Sequence, residues 1–128
     1  MKLLLDTHAF LWSIADRSRL SPRATRLIES VRNDVFVSTA SVWEITIKTS
    51  MGRLSFDEPA HRLIPRQLQE ARFEVLPVRL GHALGVSSLP LHHADPFDRL
   101  LVSQAIAEDL RLVTHDRLIA SYDVVVEW

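Results

Sequence analysis

Short, almost wholly apolar runs alternate along the chain with longer stretches whose apolar residues recur at helical spacing. Residues 2–5 are apolar nearly throughout, the pattern of a central strand covered on both faces. Asp6 ends that run, and a helical segment follows over about 7–15. Ser21 and Pro22 read as an N-cap with proline at the first helical position, opening a helix to about Arg32. A second strand is expected over 34–38, around Val35, Phe36 and Val37. A third helix is expected over 40–51, with Gly52 placed for a left-handed C-terminal cap. A fourth helix over 60–72 is offset by Pro65, and a short strand (73–76) and short helix (80–86) follow. The rest divides into a helix from Pro96 to near Asp109, a strand over 111–114, one or two helical turns over 116–121 and a last strand over 124–126.

Five strand candidates separated by helices describe βα units, and hence a mostly parallel sheet with helices on both faces. The expectation is a three-layer α/β/α fold. A chain of 128 residues without repeats or a long linker reads as one domain over 1–128.

Composition narrows the chemistry. Hydrophobic residues at 47% and charged residues at 24% suit an ordinary soluble globule, expected in the cytoplasm and not in a membrane. The apolar start is too brief for a signal peptide and ends in an acid. With no cysteine there is neither a disulfide framework nor a thiolate metal site. A formal charge of −1 leaves no bulk basic footprint, so contact with nucleic acid would need a local patch or bound cations. Arg19, Arg23 and Arg26 crowd one early stretch and could form such a rail, although a solvated helix face is the simpler account. Phe10, Trp12, Trp43 and Phe73 sit within apolar patterns and are expected in the core or an interface, not as base-stacking platforms.

The acids carry the functional expectation. Asp95 falls at an N-cap before Pro96, and Asp98 three residues on shares a helix face with Leu101, Val102 and Ala105. Asp6 follows the first strand, Glu44 lies early in the helix after the second, and Asp116 stands just past the fourth. Each has a plain alternative: capping for Asp6, Asp95 and Asp98, an i,i+4 bridge to Lys48 for Glu44, a turn for Asp116. Ligands bind outside the carboxyl ends of strands in an open parallel sheet, and all these acids can meet there. Carboxylates so grouped need a cation, and oxygen-only ligands point to Mg²⁺ or Mn²⁺. Phosphodiester hydrolysis is the reaction that most often uses such a cluster.

Around the acids, Thr7, Ser41 and Thr114 are short hydroxyl residues able to orient carboxylates. Arg99 could neutralise Asp95 or meet a scissile phosphate. His8, His92, His93 and His115 match no zinc spacing and read as polar edge residues.

The segments LLLDTHAFLW, STASVWEI, HHADPFDRLLVSQA and LVTHD, in this order and spacing, resemble the PIN domain. More narrowly, they resemble the VapC-type toxins of bacterial toxin–antitoxin pairs, over about Lys2 to Val126. That resemblance implies an acidic quartet of Asp6, Glu44, Asp98 and Asp116 holding one or two Mg²⁺ or Mn²⁺ ions for endonucleolytic cleavage of RNA. Products with a 5′-phosphate and a 3′-hydroxyl would follow. Asp95 would be an additional acid of the HADPFDR subgroup, a cap or outer ligand. The resemblance further implies a homodimer, an antitoxin that occupies or distorts the site, and arrest of translation and growth. Two rival readings are a catalytically silent binding module on the same fold and a phosphotransfer domain. The second fits poorly, because Asp6-Thr7-His8 lacks the second acid of a haloacid-dehalogenase-like phosphatase. No Lys follows the last strand, as a receiver would require.

Overall fold

The computed structural model describes Met1–Trp128. Five parallel strands, β1 (Lys2–Leu5), β2 (Asp34–Ser38), β3 (Glu74–Leu76), β4 (Arg111–Val113) and β5 (Val126–Glu127), form one sheet in the order β3-β2-β1-β4-β5. The chain moves outward from β1 on one side, then crosses back to place β4 on the other. The sheet therefore reverses direction at β1, where a crevice opens beyond the strand ends.

Strand alternation feeds two cores. Leu3, Leu5, Val35, Val37 and Val113 face one layer, made by α1 (Thr7–Ala15), α2 (Pro22–Glu29), α3 (Thr39–Ser50) and α4 (Ala60–Glu70) through Phe10, Ala24, Ile45 and Ile64. Leu4 and Leu112 face the other, against Leu101, Val102 and Ala105 of α6 (Pro96–Glu108), which α5 (Leu80–Gly85) flanks. Leu3, Leu4 and Leu5 are wholly buried, which is why this strand shows no polar alternation. Each such side chain contributes roughly 1.5–3 kcal/mol on burial. The expected three-layer α/β/α architecture with a five-stranded sheet is what the chain adopts.

Caps set where the helices begin. Ser21 Oγ accepts from the Ala24 amide at 2.9 Å, Ser38 Oγ from Ala40 at 3.0 Å and Asp95 Oδ1 from Phe97 at 2.8 Å. Gly52 takes φ +72° just beyond α3, the left-handed conformation expected there. Three boundaries differ from expectation. The second helix stops at Glu29, and the stretch expected to be helical over 116–121 keeps only a 3₁₀ turn at Ile119–Ser121. The last strand slides to Val126–Glu127, because Glu127 pairs in register with Val113 and its buried carboxylate receives Arg23 at 2.6 Å and Arg111 at 2.7 Å. Arg23 is thereby tied to Glu127 while remaining exposed, as the solvated-face account expects.

A buried polar link joins the two helices that carry Glu44 and Asp98. Ser38 Oγ donates to Gln104 Oε1 at 2.5 Å, and both residues are fully buried. Replacing Gln104 with Leu removes the acceptor and leaves the Ser38 hydroxyl proton unpaired, at a cost of about 1–3 kcal/mol. Urea denaturation of Gln104→Leu should show that loss; a midpoint equal to the parent's would mean the link contributes nothing.

Candidate active site

Asp6, Asp98 and Asp116 converge beyond the carboxyl ends of β1 and β4, with Glu44 arriving from α3. Asp6 serves two purposes: its Oδ1 caps α1 by accepting from the Ala9 amide at 2.7 Å, and its Oδ2 accepts from Thr114 Oγ1 at 2.5 Å. Burial raises its pKa despite these two bonds. Thr114, just past β4, also accepts the Asp116 amide at 3.0 Å and so aligns both acids. Thr7 donates to Ser41 Oγ at 3.0 Å, fixing the start of α1 against α3. The three hydroxyl residues singled out from sequence thus sit against the acids or between their helices.

Glu44 is buried, and its Oε2 lies 2.8 Å from Lys48 Nζ, the i,i+4 pair anticipated as its plain alternative. That pair uses only one oxygen. Glu44 Oε1 is buried without any hydrogen-bond partner from the protein, a lone-pair arrangement that a cation would satisfy.

Asp98 occupies the first turn of α6. Burial first, then the charges of Asp95 and Asp6, push its pKa up to about 7. Asp95 itself is occupied as a cap: its Oδ1 accepts the amides of Phe97 and, at 3.3 Å, Asp98.

His93 was read from sequence as an edge residue, and the structure corrects this. Its Nε2 donates to Asp116 Oδ2 at 2.8 Å and lies 3.2 Å from Asp98 Oδ2, between the two acids. Its Nδ1 accepts the Asp95 amide at 3.0 Å, so the ring proton sits on Nε2. The His93 amide in turn donates to the Tyr122 hydroxyl at 2.9 Å. Burial alone would raise the pKa of Asp116, but the bonds from His93 and the Leu118 amide hold it below its ordinary value. The spacing His-x-Asp-Pro before a helix was the clue: a side chain two residues ahead of a cap meets the capping residue's own amide.

Two other expectations are revised. Arg99 turns away from the acids and donates to the Pro90 and Val86 carbonyls at 2.9 and 3.2 Å and to Tyr122 Oη at 3.1 Å, bracing the loop before α6. Trp43 is 60% exposed and packs edge-on against Phe97, outside the core. Phe10 and Phe73 are buried as expected.

His93 Nε2 and carboxylate oxygens of Asp98 and Asp116 lie within 4.8 Å of one another. With the proton on Nε2 the ligand atoms are the two carboxylates, and Asp6 and Glu44, outside that group, act electrostatically on Asp98. With the orphaned Glu44 oxygen, the donor set is oxygen-rich and fits a hard divalent cation.

A parallel sheet of this order with acids at its central strand ends is the arrangement of the PIN domain. Residues 3–125 match the PIN domain family, and the chain belongs to it. The narrower likeness to VapC proteins also holds: the chain is 29% identical over 123 residues to ribonuclease VapC22 of Mycobacterium tuberculosis, covering 94% of this chain and 91% of that one. VapBC2 from Rickettsia felis, solved with a DNA fragment from its promoter, shares the fold at TM-score 0.73 and 17% identity, over 99% of this chain and 98% of that one. FitAcB from Neisseria gonorrhoeae does so at TM-score 0.67 and 18% identity, over 97% and 95%.

The raised pKa of Asp98 has a stability consequence. Between the ordinary value of 3.8 and about 7 the folded protein holds a proton that the unfolded chain releases. This contribution is complete below the lower value and lost as pH rises through the upper. Asp116 and Glu127, whose pKa values are lowered, act only at more acid pH. In EDTA, therefore, Asp98→Asn should raise the melting temperature more at about pH 8 than at about pH 5.5. An equal shift at both would contradict the assigned environment.

Proposed function

We propose that this chain is a Mg²⁺- or Mn²⁺-dependent endoribonuclease and the toxin of a toxin–antitoxin pair. The observation that supports this reading is a buried, unpartnered Glu44 oxygen together with Asp98, which lies within ligand distance of Asp116 and feels the charges of Asp6 and Glu44. The ribonuclease name of the VapC22 relative supports the activity, and the VapBC and FitAcB assemblies among its structural neighbours support a small protein partner. A homodimer, cleavage leaving 5′-phosphate and 3′-hydroxyl ends, action in the cytoplasm, and arrest of translation and growth complete the proposal.

Asp6, Glu44, Asp98 and Asp116 would hold the cation, with Asp95 as a cap behind them. When bound, the cation supplies Lewis acidity toward water and the scissile phosphate and offsets the negative field the acids present to RNA. The protein's own groups prepare for this. Thr114 fixes Asp6, and Lys48 restrains one Glu44 oxygen while leaving the other free. His93 holds Asp116, which otherwise sits in a loop without helical support, and its locked Nε2 proton makes it an orienting donor.

Purified, partner-free protein should cut structured cellular RNA with Mn²⁺ or Mg²⁺ and not in EDTA. Asp98→Asn should keep the fold and abolish cutting, with Asp95→Asn less harmful. Cleavage that survives EDTA or Asp98→Asn would overturn the proposal. For His93, calorimetric Mn²⁺ titration should show binding about 10–100-fold weaker in His93→Leu and near-parent binding in His93→Gln, which keeps a donor. Parent-like affinity in His93→Leu would remove it from the site.

A further inference from the structure

Beside the acids lies a cavity of about 210 Å³ lined by only Asp6, His8, Trp12, His115 and Asp116. Two carboxylates form one part of its wall and three flat rings the rest. We propose that this cavity is a nucleobase-stacking pocket, receiving the base of a nucleotide next to the scissile phosphate. The proposal rests on the ribonuclease reading above and adds how the substrate is gripped.

The rings form a continuous row. His8 meets Trp12 at 5.7 Å between centroids, Trp12 meets Trp128 at 5.9 Å, and His115 stacks on Trp128 at 5.2 Å with planes 17° apart. Trp12 and Trp128 also pack against the edge of the larger core, which accounts for their partial burial. Core cover does not account for His8 and His115, which are both exposed. Their place is set by the acids' own backbone: His8 is two residues from Asp6 within the first turn of α1, and His115 immediately precedes Asp116. Asp6 and Asp116 line the same cavity as these rings, so a strand held at the two acids would lie beside them.

Every base offers a π-face, so stacking on such rings binds single-stranded RNA without reading its sequence. The Arg19 guanidinium lies over the Trp12 ring, 4.9 Å from its centroid, so it covers one face of that indole and sets a positive group beside the cavity, suited to a backbone phosphate. The formal charge of the chain is −1, so bulk electrostatic attraction adds little to its hold on RNA. Stacking supplies affinity that the net charge does not.

The test uses RNA oligonucleotides carrying one cleavable linkage, intact or with a single abasic nucleotide on either side of it. Binding is followed by fluorescence anisotropy with full-length Asp98→Asn protein in Mn²⁺, and cleavage with the parent. One abasic position should weaken binding about tenfold or more. In a His8→Ala/His115→Ala background the intact oligonucleotide should already bind that weakly, and the abasic change should add little. His8→Phe/His115→Phe, which keeps flat rings, should restore the difference and so separates stacking from folding. In cleavage the loss should fall on KM more than on kcat. An abasic effect that is absent, or the same in all three backgrounds, overturns the pocket. So does loss of protein-partner binding in the alanine pair with RNA binding unchanged. Base-dependent binding by a parent that cuts no RNA would leave the pocket standing and remove the nuclease reading instead.

Discussion

Negative charge held at the end of a buried strand is the constraint around which this protein is arranged. Asp6 is 4% and Glu44 5% exposed, so neither can rely on water for its solvation. Each acid is relieved by a different device: hydroxyl and amide donors at Asp6, an ammonium at Glu44, a proton at Asp98, an imidazole N–H at Asp116. Burial raises the pKa of Asp6 and Asp98 while the His93 bond helps lower that of Asp116, and that inequality lets these acids share one end of the sheet without a full complement of countercharge.

These devices come from elements that the sheet order brings together. β1 has β2 on one side and β4 on the other, so Asp6 stands beside Thr114 and faces the helix following β2. The Ser38–Gln104 and Thr7–Ser41 bonds then pin α3 to α6 and to α1. Tyr122 extends the support to the far side: its hydroxyl oxygen takes donors from His92, His93 and Arg99 and so fixes the loop that presents the imidazole. Geometry at the acids thus rests on a second ring of neutral groups, each buried or half-buried and each paired.

Much of this was legible in the residues themselves. Uniformly apolar runs marked the strands, and Ser21-Pro22, Asp95-Pro96 and Gly52 marked helix ends for local steric and hydrogen-bonding reasons that tertiary context left unchanged. The convergence of Asp6, Asp98 and Asp116 followed from strand order. What escaped depended on partners distant in sequence. Glu127 reads as a polar stop, yet it lies within β5 because Arg23 and Arg111 both reach it. His93 looks like an edge residue until a loop fold-back places it between two acids, and Arg99 looks like a site residue until three carbonyl and hydroxyl acceptors claim it on the other side. Trp43 follows an apolar pattern but falls on the open face of α3, and periodicity cannot say which of two half-covered faces meets solvent.

The hydrogen bond between Asp6 and Thr114 joins residues 108 positions apart. Until β4 pairs beside it, β1 is an open edge on the site side. Pairing so remote in sequence is late and slow to close. The acids are therefore brought into register only when that long-range pairing closes, so completion of the sheet and assembly of the site are one event.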